Sequence, residues 1–372
     1  MQVKHLIKTI GSDYFVGVPD SQLKPLCNYL MNTYGIDPNH HLIAANEGNA
    51  TAIAAGYHLA TSKVPVVYMQ NSGEGNIINP VASLLNEKVY KIPMIFIIGW
   101  RGEPNVHDEP QHIFQGEVTL KLLDVMGISS FVISSETTEE ELTKKMKEFN
   151  KLLKDGQDVA FIIKKGALEY DEKVSYKNNN TMTREEIINH IVKVSKDDPI
   201  ISTTGKASRE LFEIREANQE SHKYDFLTVG SMGHASSIAL GVAINKPDKK
   251  IWIIDGDGAA LMHMGAMPVI GSVCPKNIVH IVINNQAHET VGGMPTVANN
   301  LNFAVVASNC GYKNTISVDN FNDLDKALKE AKLKNELTLI EVKSSIGARS
   351  DLGRPTTTAL ENKINFMNYL SE

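Results

Sequence analysis

Short apolar runs alternate with helical stretches along the first half of the chain. The pattern predicts six strands, near Tyr14–Val18, Leu42–Ala45, Val64–Gln70, Met94–Trp100, Phe131–Ser134 and Val159–Lys164. Several of these runs are apolar without a period of two, which is typical of strands covered on both faces. Predicted helices separate them, at Ser21–Tyr34, Glu47–Thr61 and Thr137–Leu153. Strands that alternate with helices form a parallel sheet with right-handed crossovers.

The alternation is interrupted once, between Asp171 and Thr183. This segment includes the polar run Lys177-Asn178-Asn179-Asn180, which has no apolar side chain to bury. The alternation then resumes with a helix from Arg184 and with strands near Ile200–Thr203, Phe226–Val229, Ile251–Asp255, Ile278–Asn284 and Leu337–Val342. We therefore expect an α/β protein with two doubly wound parallel-sheet domains, residues 1–175 and 184–372, joined by a linker at 176–183.

Composition excludes several classes of protein. The 372 residues are 42% hydrophobic, with 43 acidic and 37 basic side chains and a net charge of −6. The chain is too apolar to be disordered, and it lacks the basic excess of a nucleic-acid binder. Its three cysteines lie far apart, which argues against a disulfide framework or a cysteine zinc site and fits a reducing cytoplasm. We see no signal peptide, and the longest apolar run, Ile92–Trp100, is too short to cross a bilayer. We therefore expect a soluble cytoplasmic protein that binds neither nucleic acid nor membrane.

The most specific motif is Gly256-Asp257-Gly258, between a predicted strand and a helical stretch. A tight strand–helix turn would explain either glycine alone. Gly256 and Gly258 have the spacing of the first two glycines of the dinucleotide fingerprint, but the acidic residue that binds the ribose is missing, since none occurs between Ala259 and His288. Asp257 inside the turn would also repel a bare pyrophosphate.

A metal site is the interpretation that remains for this motif. A calcium loop that starts at Asp255 fails, because Ala266 stands where a bidentate glutamate is required. Asp257 is then a metal ligand, with the metal joining its carboxylate to a diphosphate. A second oxygen ligand is available at the end of the next predicted strand, in Asn284-Asn285.

Gly-Asp-Gly followed one strand later by Asn-Asn resembles the metal–diphosphate motif of thiamine-diphosphate (ThDP) enzymes. The resemblance implies that Mg²⁺ is held by Asp257, Asn285 and the backbone carbonyl of Ala287. These are hard oxygen donors of the kind that Mg²⁺ prefers. It also implies a pyrimidine-binding domain in the first half of the chain and a diphosphate-binding domain in the second half.

The same resemblance implies positions for ThDP. The Gly230 carbonyl would accept a hydrogen bond from the cofactor's amino group, and Met232 would support its bent conformation, although core filling alone would explain this methionine. Thr204 and Gly205 precede a predicted helix, whose N–H groups can hold a diphosphate. The complete set of implied cofactor positions is Ser72, Gly73, Thr204, Gly205, Gly230, Met232, Gly256, Gly258 and Ala259.

Glu47 is the candidate catalytic carboxylate. It opens a predicted helix composed mostly of Ala, Gly and Ile. Taken alone, an acidic residue there is explained by the helix dipole. Through Ala55-Gly56-Tyr57 and Ala60-Thr61, however, the segment resembles the glutamate helix of ThDP enzymes, whose carboxyl group acts on the cofactor's pyrimidine. In that family the two domains that form a site come from different subunits, which implies a homodimer or higher homo-oligomer with sites at the subunit interface.

Longer polar segments resemble one branch of this family, the two-domain decarboxylases of phosphonopyruvate and, as close relatives, of sulfopyruvate. The segments are Gly17–Ser21, Tyr68–Gly73, Gly99–His112, His288–Thr296 and Gly347–Thr358, and the resemblance covers essentially the whole chain. It implies decarboxylation of 3-phosphonopyruvate to phosphonoacetaldehyde and CO2, for phosphonate biosynthesis, with ThDP and Mg²⁺ as cofactors.

The carboxylate and phosphonate of such a substrate require cations and hydrogen-bond donors. The candidate substrate residues are Asp20, Ser21, Arg101, His107, Arg349 and Arg354. Arg101 and His107 follow a predicted strand, at the sheet edge where α/β proteins bind ligands, and arginine matches tetrahedral oxyanions. Solvated surface is the alternative for each arginine, and Pro110 between His107 and His112 disfavours a zinc site.

His112 and His288 are the candidate catalytic proton donors for the final step. Three other functions are weighed against the main one. A sulfopyruvate decarboxylase would use the same chemistry on a substrate with one fewer charge. An oxo-acid dehydrogenase component is disfavoured by the segment Gly99–His112, and a non-catalytic ThDP-binding protein would have no need of Glu47.

Overall fold

The computed structural model describes residues 1–372, which form two compact units, Met1–Ser175 and Tyr176–Glu372. Each unit has a six-stranded parallel sheet flanked by helices. The predicted fold class, two doubly wound α/β domains, is confirmed.

The first unit contains all six predicted strands. They are β1 (Phe15–Gly17), β2 (His41–Ile43), β3 (Val66–Gln70), β4 (Ile95–Gly99), β5 (Ser129–Ile133) and β6 (Val159–Ile163). The helices are α1 (Val3–Ile10), α2 (Lys24–Tyr34), α3 (Glu47–Thr61), α4 (Glu74–Pro80), α5 (Pro110–Val125) and α6 (Glu139–Lys154). A 3₁₀ turn at Asn71–Gly73 precedes α4, and a π turn at Val81–Leu85 continues it. The strands pair in the order β2-β1-β3-β4-β6-β5.

The core of the first unit explains its sequence pattern. Every residue of β4 and β6 is buried, because helices cover both faces of a parallel sheet. On one face Val67 and Phe96 pack with Ala50, Ala54 and Ala55 of α3. These small side chains let α3 lie close to the sheet, with its first residue, Glu47, directly beyond the end of β2.

The second unit has eight strands. They are β7 (Ile200–Ser202), β8 (Asp225–Leu227), β9 (Ile251–Gly256), β10 (Ile278–Asn284), β11 (Ala287–His288), β12 (Met294–Pro295), β13 (Asn314–Val318) and β14 (Thr338–Lys343). Its α-helices are α7 (Arg184–Ser195), α8 (Lys206–Ala217), α9 (Ala235–Asn245), α10 (Asp257–Met262), α11 (Ala266–Val273), α12 (Phe303–Asn309), α13 (Phe321–Leu333) and α14 (Ala359–Ser371). There are 3₁₀ turns at His222–Tyr224, Glu289–Val291 and Val297–Asn300. The main sheet has the order β13-β14-β10-β9-β7-β8, and β11 and β12 form a separate antiparallel pair.

The two main sheets share one topology. When the six parallel strands of the second unit are numbered by their order along the chain, its sheet reads 2-1-3-4-6-5 from the β8 side, as the first does from the β2 side. In both sheets the chain changes direction between the first and third strands, and such switch points are where α/β folds bind ligands. We call the residues that follow β1, β2, β3 and β4 the first edge, and those that follow β7, β8, β9 and β10 the second edge.

Several elements of the structure were not among the predicted ones, and β13 and α5 show two reasons why. β13 is an edge strand with only one buried residue, Val318, so it has no continuous apolar run to mark it. No helix was predicted within the segment Gly99–His112, but α5 begins at Pro110, and proline is well suited to the first turn of a helix. His112 therefore lies in a helix.

The polar segment at 176–183 belongs to the second unit. The Asn178 amide donates hydrogen bonds to the carbonyls of Asn285 and Ser344, each at 2.9 Å. The segment is therefore attached to the ends of β10 and β14. Across the structure, no helix combines the length and the apolar character that a bilayer crossing requires.

Candidate active site

Glu47 lies at the first edge as a buried carboxyl group. The side chain of Asn46 caps α3 by accepting a hydrogen bond from the Asn49 N–H at 2.9 Å. Glu47 is 4% exposed, and its Oε2 accepts a hydrogen bond from the Asn76 amide at 2.6 Å. Burial raises the pKa of Glu47, because the charged form loses its hydration. The carboxyl group therefore holds a proton more firmly than an exposed glutamate does.

Gly73 lies directly against this carboxyl group. A β-carbon built on Gly73 would be 2.5 Å from Glu47 Cγ and 2.7 Å from Oε1, so a side chain there would push the Glu47 carboxyl group aside. Its neighbour Ser72 is exposed, and its hydroxyl donates to Gln70 Oε1 at 2.8 Å. The structure therefore brings two of the implied cofactor positions, Ser72 and Gly73, to the same edge as Glu47.

Asp20 is buried beneath the first edge. Its carboxylate accepts hydrogen bonds from the Gln70 amide at 2.6 Å and the Gln22 N–H at 3.0 Å. A β-carbon on Gly99 would overlap with Asp20 Oδ2. Burial raises the pKa of Asp20. The side chain is fully buried, so it supports the ends of β1 and β3 from within.

A cleft of about 470 Å³ opens at the first edge beside Arg101. Its lining residues are Ser21, Gln22, Lys24, Pro25, Trp100, Arg101, Glu103, Val106, His107, Asp108, Lys165, Gly166 and Leu168. Arg101 Nη1 donates to the Ser21 hydroxyl at 3.1 Å. The structure thus brings together three of the predicted substrate residues, Ser21, Arg101 and His107, with two further lysines.

Asp108 holds Arg101 in place. It accepts from Arg101 Nε at 2.7 Å and from the Gly102 N–H at 2.8 Å. Burial alone would raise the pKa of Asp108, but these donors hold that pKa well below its usual range. His112 is half-buried in the first turn of α5, outside the cleft lining. Burial and then the charge of Arg101 lower the pKa of His112.

Asp257 occupies the start of α10 at the second edge. It is 2% exposed, and its Oδ2 accepts a hydrogen bond from the Thr296 hydroxyl at 2.5 Å. The Asn285 N–H also donates to this carboxylate, which brings the ends of β9 and β10 together. Burial raises the pKa of Asp257 to about 6. A carboxylate buried in this way, without a lysine or arginine beside it, suits a bound cation.

Asn285 and Ala287 complete an oxygen-rich corner. Asn285 Oδ1 accepts the Ala287 N–H at 3.0 Å, across Gln286 with its left-handed φ of 63°. The three predicted metal ligands are therefore adjacent, and their donors are a carboxylate, an amide oxygen and a carbonyl. This donor set fits Mg²⁺ and does not resemble a histidine–cysteine zinc site.

Gly258, Met232 and His288 converge next to this corner. A β-carbon on Gly258 would be 3.4 Å from Met232 Cε and 3.4 Å from His288 Nδ1. Met232 follows Gly230 and Ser231 in the turn after β8. Ser231 has a left-handed backbone conformation, with φ 52°. Burial lowers the pKa of His288 to about 4, so its imidazole is neutral at pH 7 and carries no second proton to donate.

Two helix starts face the second edge without a side-chain cap. Gly205, with φ 91°, precedes α8, and Gly256 precedes α10, which contains Gly258 and Ala259. Thr204 Oγ1 donates to the Val229 carbonyl at 2.8 Å, which joins the ends of β7 and β8. Uncapped N–H groups at a helix start are suited to a diphosphate.

The arginines after β14 differ from Arg101. Arg349 contacts Glu185 at 3.0 Å and Asp351 at 3.3 Å, and it also pairs with Glu213. Its charge is thus shared among three carboxylates, two of which lie on α7 and α8. Arg354 is exposed. The structure therefore gives Arg349 a clear role in attaching this loop to α7 and α8.

Three further residues of the two edges were missed from sequence. Asn76 contacts Glu47, Thr296 contacts Asp257, and Glu289 contacts Asn285 at 2.9 Å. Burial alone would raise the pKa of Glu289, but Arg184 and Lys206 hold that pKa below its ordinary value. Thr296 and Glu289 lie in the segment His288–Thr296, whose polar character was the available signal; Asn76 had no comparable one.

Comparison with known proteins shows which family both units of the chain match. Its residues 2–145 match the family model of the thiamine pyrophosphate (TPP, the same compound as ThDP) enzyme N-terminal TPP-binding domain, and residues 203–342 match the C-terminal TPP-binding domain. The chain is 31% identical to a phosphonopyruvate decarboxylase of Streptomyces viridochromogenes, over 97% of this chain and 92% of that protein.

Two further relatives also match nearly the full length of this chain. The phosphonopyruvate decarboxylase of Streptomyces hygroscopicus is 30% identical, over 98% of this chain and 92% of that protein. The sulfopyruvate decarboxylase of Methanosarcina acetivorans is 26% identical, over 92% of this chain and 90% of that protein. The resemblance inferred from the motifs is confirmed: the chain belongs to the thiamine pyrophosphate enzymes, in the family of the phosphonopyruvate decarboxylases.

Proposed function

We propose that this protein uses ThDP and Mg²⁺ to decarboxylate 3-phosphonopyruvate to phosphonoacetaldehyde and CO2. The observation that carries the proposal is its similarity to phosphonopyruvate decarboxylases, 31% and 30% identical over nearly the full chain. In support, the buried Glu47 and the oxygen corner at Asp257 lie at equivalent edges of two sheets of one topology.

The second edge binds the cofactor in this proposal. Asp257, Asn285 and the Ala287 carbonyl hold Mg²⁺, and the start of α10 and the turn at Thr204-Gly205 hold the diphosphate. Gly230 and Met232 contact the rest of the cofactor. Bound ThDP supplies an electron sink for the cleavage of the carbon–carbon bond.

Glu47 handles a proton in this proposal. Because Oε2 accepts a hydrogen bond from Asn76, Oε1 is the atom left to hold a proton for exchange with the cofactor's pyrimidine. Gly73 keeps Oε1 accessible, since any side chain there would displace the carboxyl group. Burial raises the pKa of Glu47, which favours a carboxyl group that can hold this proton.

Arg101, Ser21 and His107 bind the substrate's anionic groups in the cleft at the first edge. Arg349 and Arg354 are proposed as secondary contacts to the substrate. To make this contact, Arg349 has to break ion pairs with its carboxylate partners. Either His112 or His288 donates the final proton. Both have a lowered pKa, so a proton is taken up as the anionic substrate binds and raises that pKa.

A homodimer or higher homo-oligomer, located in the cytoplasm, is part of the proposal. Glu47 and the metal ligands belong to different units, and the reaction requires both. Helix α3, which begins at Glu47, also leaves Ile53 39% and Leu59 71% exposed. An apolar surface next to a catalytic residue is suited to a second subunit.

The proposal is tested by competition between two substrates. Equal concentrations of phosphonopyruvate and sulfopyruvate are incubated with the protein, Mg²⁺ and ThDP, and each aldehyde is measured together with CO2. We expect phosphonoacetaldehyde to dominate and its formation to require both cofactors. Preferred formation of sulfoacetaldehyde would move the protein to the sulfopyruvate branch, and absence of both aldehydes would refute decarboxylation.

A further inference from the structure

Glu289 is an ionised side chain enclosed by hydrogen-bond donors at the second edge. Its side chain is 8% exposed. Oε2 accepts from Arg184 Nη1 at 2.8 Å and from Asn285 Nδ2 at 2.9 Å, and Oε1 accepts from Lys206 Nζ at 3.0 Å. Both oxygens are thus occupied by donors, so Glu289 is not itself available as a metal ligand.

Asn285 presents an orientation problem to any metal. One side of its amide is an acceptor oxygen and the other is an NH2 group. A cation binds the oxygen, whereas the reversed amide would direct two N–H bonds at the cation. Because Glu289 only accepts hydrogen bonds, it fixes the NH2 group on its own side. Asn285 Oδ1 then lies on the other side, where it accepts one hydrogen bond, from the Ala287 N–H at 3.0 Å, and keeps a second lone pair.

The position of Glu289 is itself fixed by the start of α7. Arg184 forms two hydrogen bonds with Glu210, each at 2.6 Å, while it also contacts Glu289. The arginine and Glu210 are largely buried, at 10% and 1% exposure of their side chains. Two cations and two carboxylates make up this cluster, so it orients Asn285 without adding net charge beside the metal site.

We propose that Glu289 is a positioning residue that selects the amide orientation of Asn285, so that the oxygen faces the metal ion. The proposal rests on the metal site of the proposed function. It assigns Glu289 a role in affinity for the metal, separate from any contact with substrate.

A double-mutant cycle on metal binding tests this role. Mn²⁺ serves as the probe, and free Mn²⁺ is measured by electron paramagnetic resonance with ThDP present and substrate absent. The variants are Glu289→Ala, Asn285→Asp and the double variant. In the Asn285 background we expect Glu289→Ala to weaken Mn²⁺ binding by about 10- to 100-fold, the effect typical of partners that orient a metal ligand.

In the Asn285→Asp background the same change is expected to leave Mn²⁺ affinity unchanged or to increase it. Aspartate has an oxygen on both sides, so it needs no orientation, and Glu289 would only repel it. An equal loss in both backgrounds, or no loss in the Asn285 background, overturns the proposal. A general loss of folding would also weaken Mn²⁺ binding equally in both backgrounds. Melting curves of all variants therefore serve as the control for folding. Failure of the wild-type protein to bind Mn²⁺ would instead contradict the proposed metal site.

Discussion

The two units have the same strand order, but buried glutamates at their two edges have opposite surroundings. At the first edge, Glu47 and Glu74 are buried without an arginine or lysine paired to them, and burial raises the pKa of each. At the second edge, Glu289 is enclosed by Arg184 and Lys206, which keep it ionised. The surroundings of Glu47 and Glu74 therefore favour the protonated form, whereas those of Glu289 favour the ionised form. Asp257 at the second edge has no cation beside it, and its pKa is raised as well.

This difference shows how one scaffold serves two tasks. The topology brings the residues after the strands together in both units, and it does not determine what those residues are. A proton-holding carboxyl group requires an environment without cations, whereas a metal–diphosphate site requires ionised ligands and fixed orientation. We expect substitutions at the two edges to fail in different ways, and the following experiments examine that expectation.

The largest effect is expected for Asp257→Ala. The change removes the one carboxylate among the proposed metal ligands, so purified protein should retain no ThDP, with affinity lowered by more than about 100-fold. The measurement is the ThDP content of protein purified with excess cofactor and Mg²⁺. Asp248→Ala, at an exposed aspartate of the same unit, is the control and should retain normal content. A variant at Asp257 that keeps the cofactor would show that this corner is not the metal site.

Arg101→Ala is expected to act on the substrate and not on the cofactor. Loss of a charged hydrogen-bond donor to an anion is worth about 1.5–3 kcal/mol, so KM should rise by about 10- to 100-fold. ThDP content should be unchanged. Steady-state kinetics with phosphonopyruvate measures the effect, and Arg101→Lys, which keeps charge without the planar fork, should lie between the variant and the wild type. An unchanged KM would remove Arg101 from the substrate site.

Glu74→Gln is expected to stabilise the protein. Burial raises the pKa of Glu74 from 4.5 to about 9, and its Oε1 has no hydrogen-bond partner. Between these two pH values the unfolded chain releases a proton that the folded chain keeps, so the stability contributed by Glu74 falls as pH rises. Replacement by a neutral amide should gain about 2 kcal/mol at pH 7.

Melting temperatures at pH 5 and pH 8 provide the measurement for Glu74. The wild type should lose stability between these pH values, and Glu74→Gln should lose less. Glu136→Gln, at an exposed position of the same unit, should leave the pH dependence as it is in the wild type. A Glu74→Gln protein less stable than the wild type at pH 8 would contradict the assignment of a neutral buried acid.

Arg349→Ala is expected to have the smallest effect on kinetics. Its guanidinium is already paired with Glu185, Glu213 and Asp351, and partly exposed ion pairs of this kind contribute about 0–1 kcal/mol. KM for phosphonopyruvate should change by less than about fivefold, well below the change for Arg101→Ala. A larger effect than that of Arg101→Ala would move the main anion-binding role from the first unit to the second.

The parts of the fold that sequence predicted share a physical cause. The central strands β4, β6 and β10 are buried on both faces, so they appear as continuous apolar runs. Helix α3 was predicted with the bounds that the structure shows, Glu47–Thr61. β13 was missed because an edge strand needs few apolar residues, and α5 was missed because its start lies within a polar segment.

The site residues also fall into those that sequence predicted and those that it did not. Glu47, Asp257 and Asn285 were found because they lie in short motifs next to predicted strands that resemble those of ThDP enzymes, and such motifs are a local property of sequence. The partners Asn76, Thr296 and Glu289 lie 29, 39 and 4 residues from the groups they contact. Which of several polar side chains reaches such a group depends on how loops pack, and no local pattern encodes that.

Glu47→Gln gives the most direct test of the division between the two edges. Rate of CO2 release and bound ThDP are measured on the same samples of variant and wild type. We expect the rate to fall by about 10²- to 10⁴-fold, the range for removal of a proton-transfer group, while ThDP content stays at the wild-type level. A variant that decarboxylates phosphonopyruvate at the wild-type rate, or one whose ThDP content falls in proportion to its rate, would contradict the assignment of proton transfer to the first edge and cofactor binding to the second.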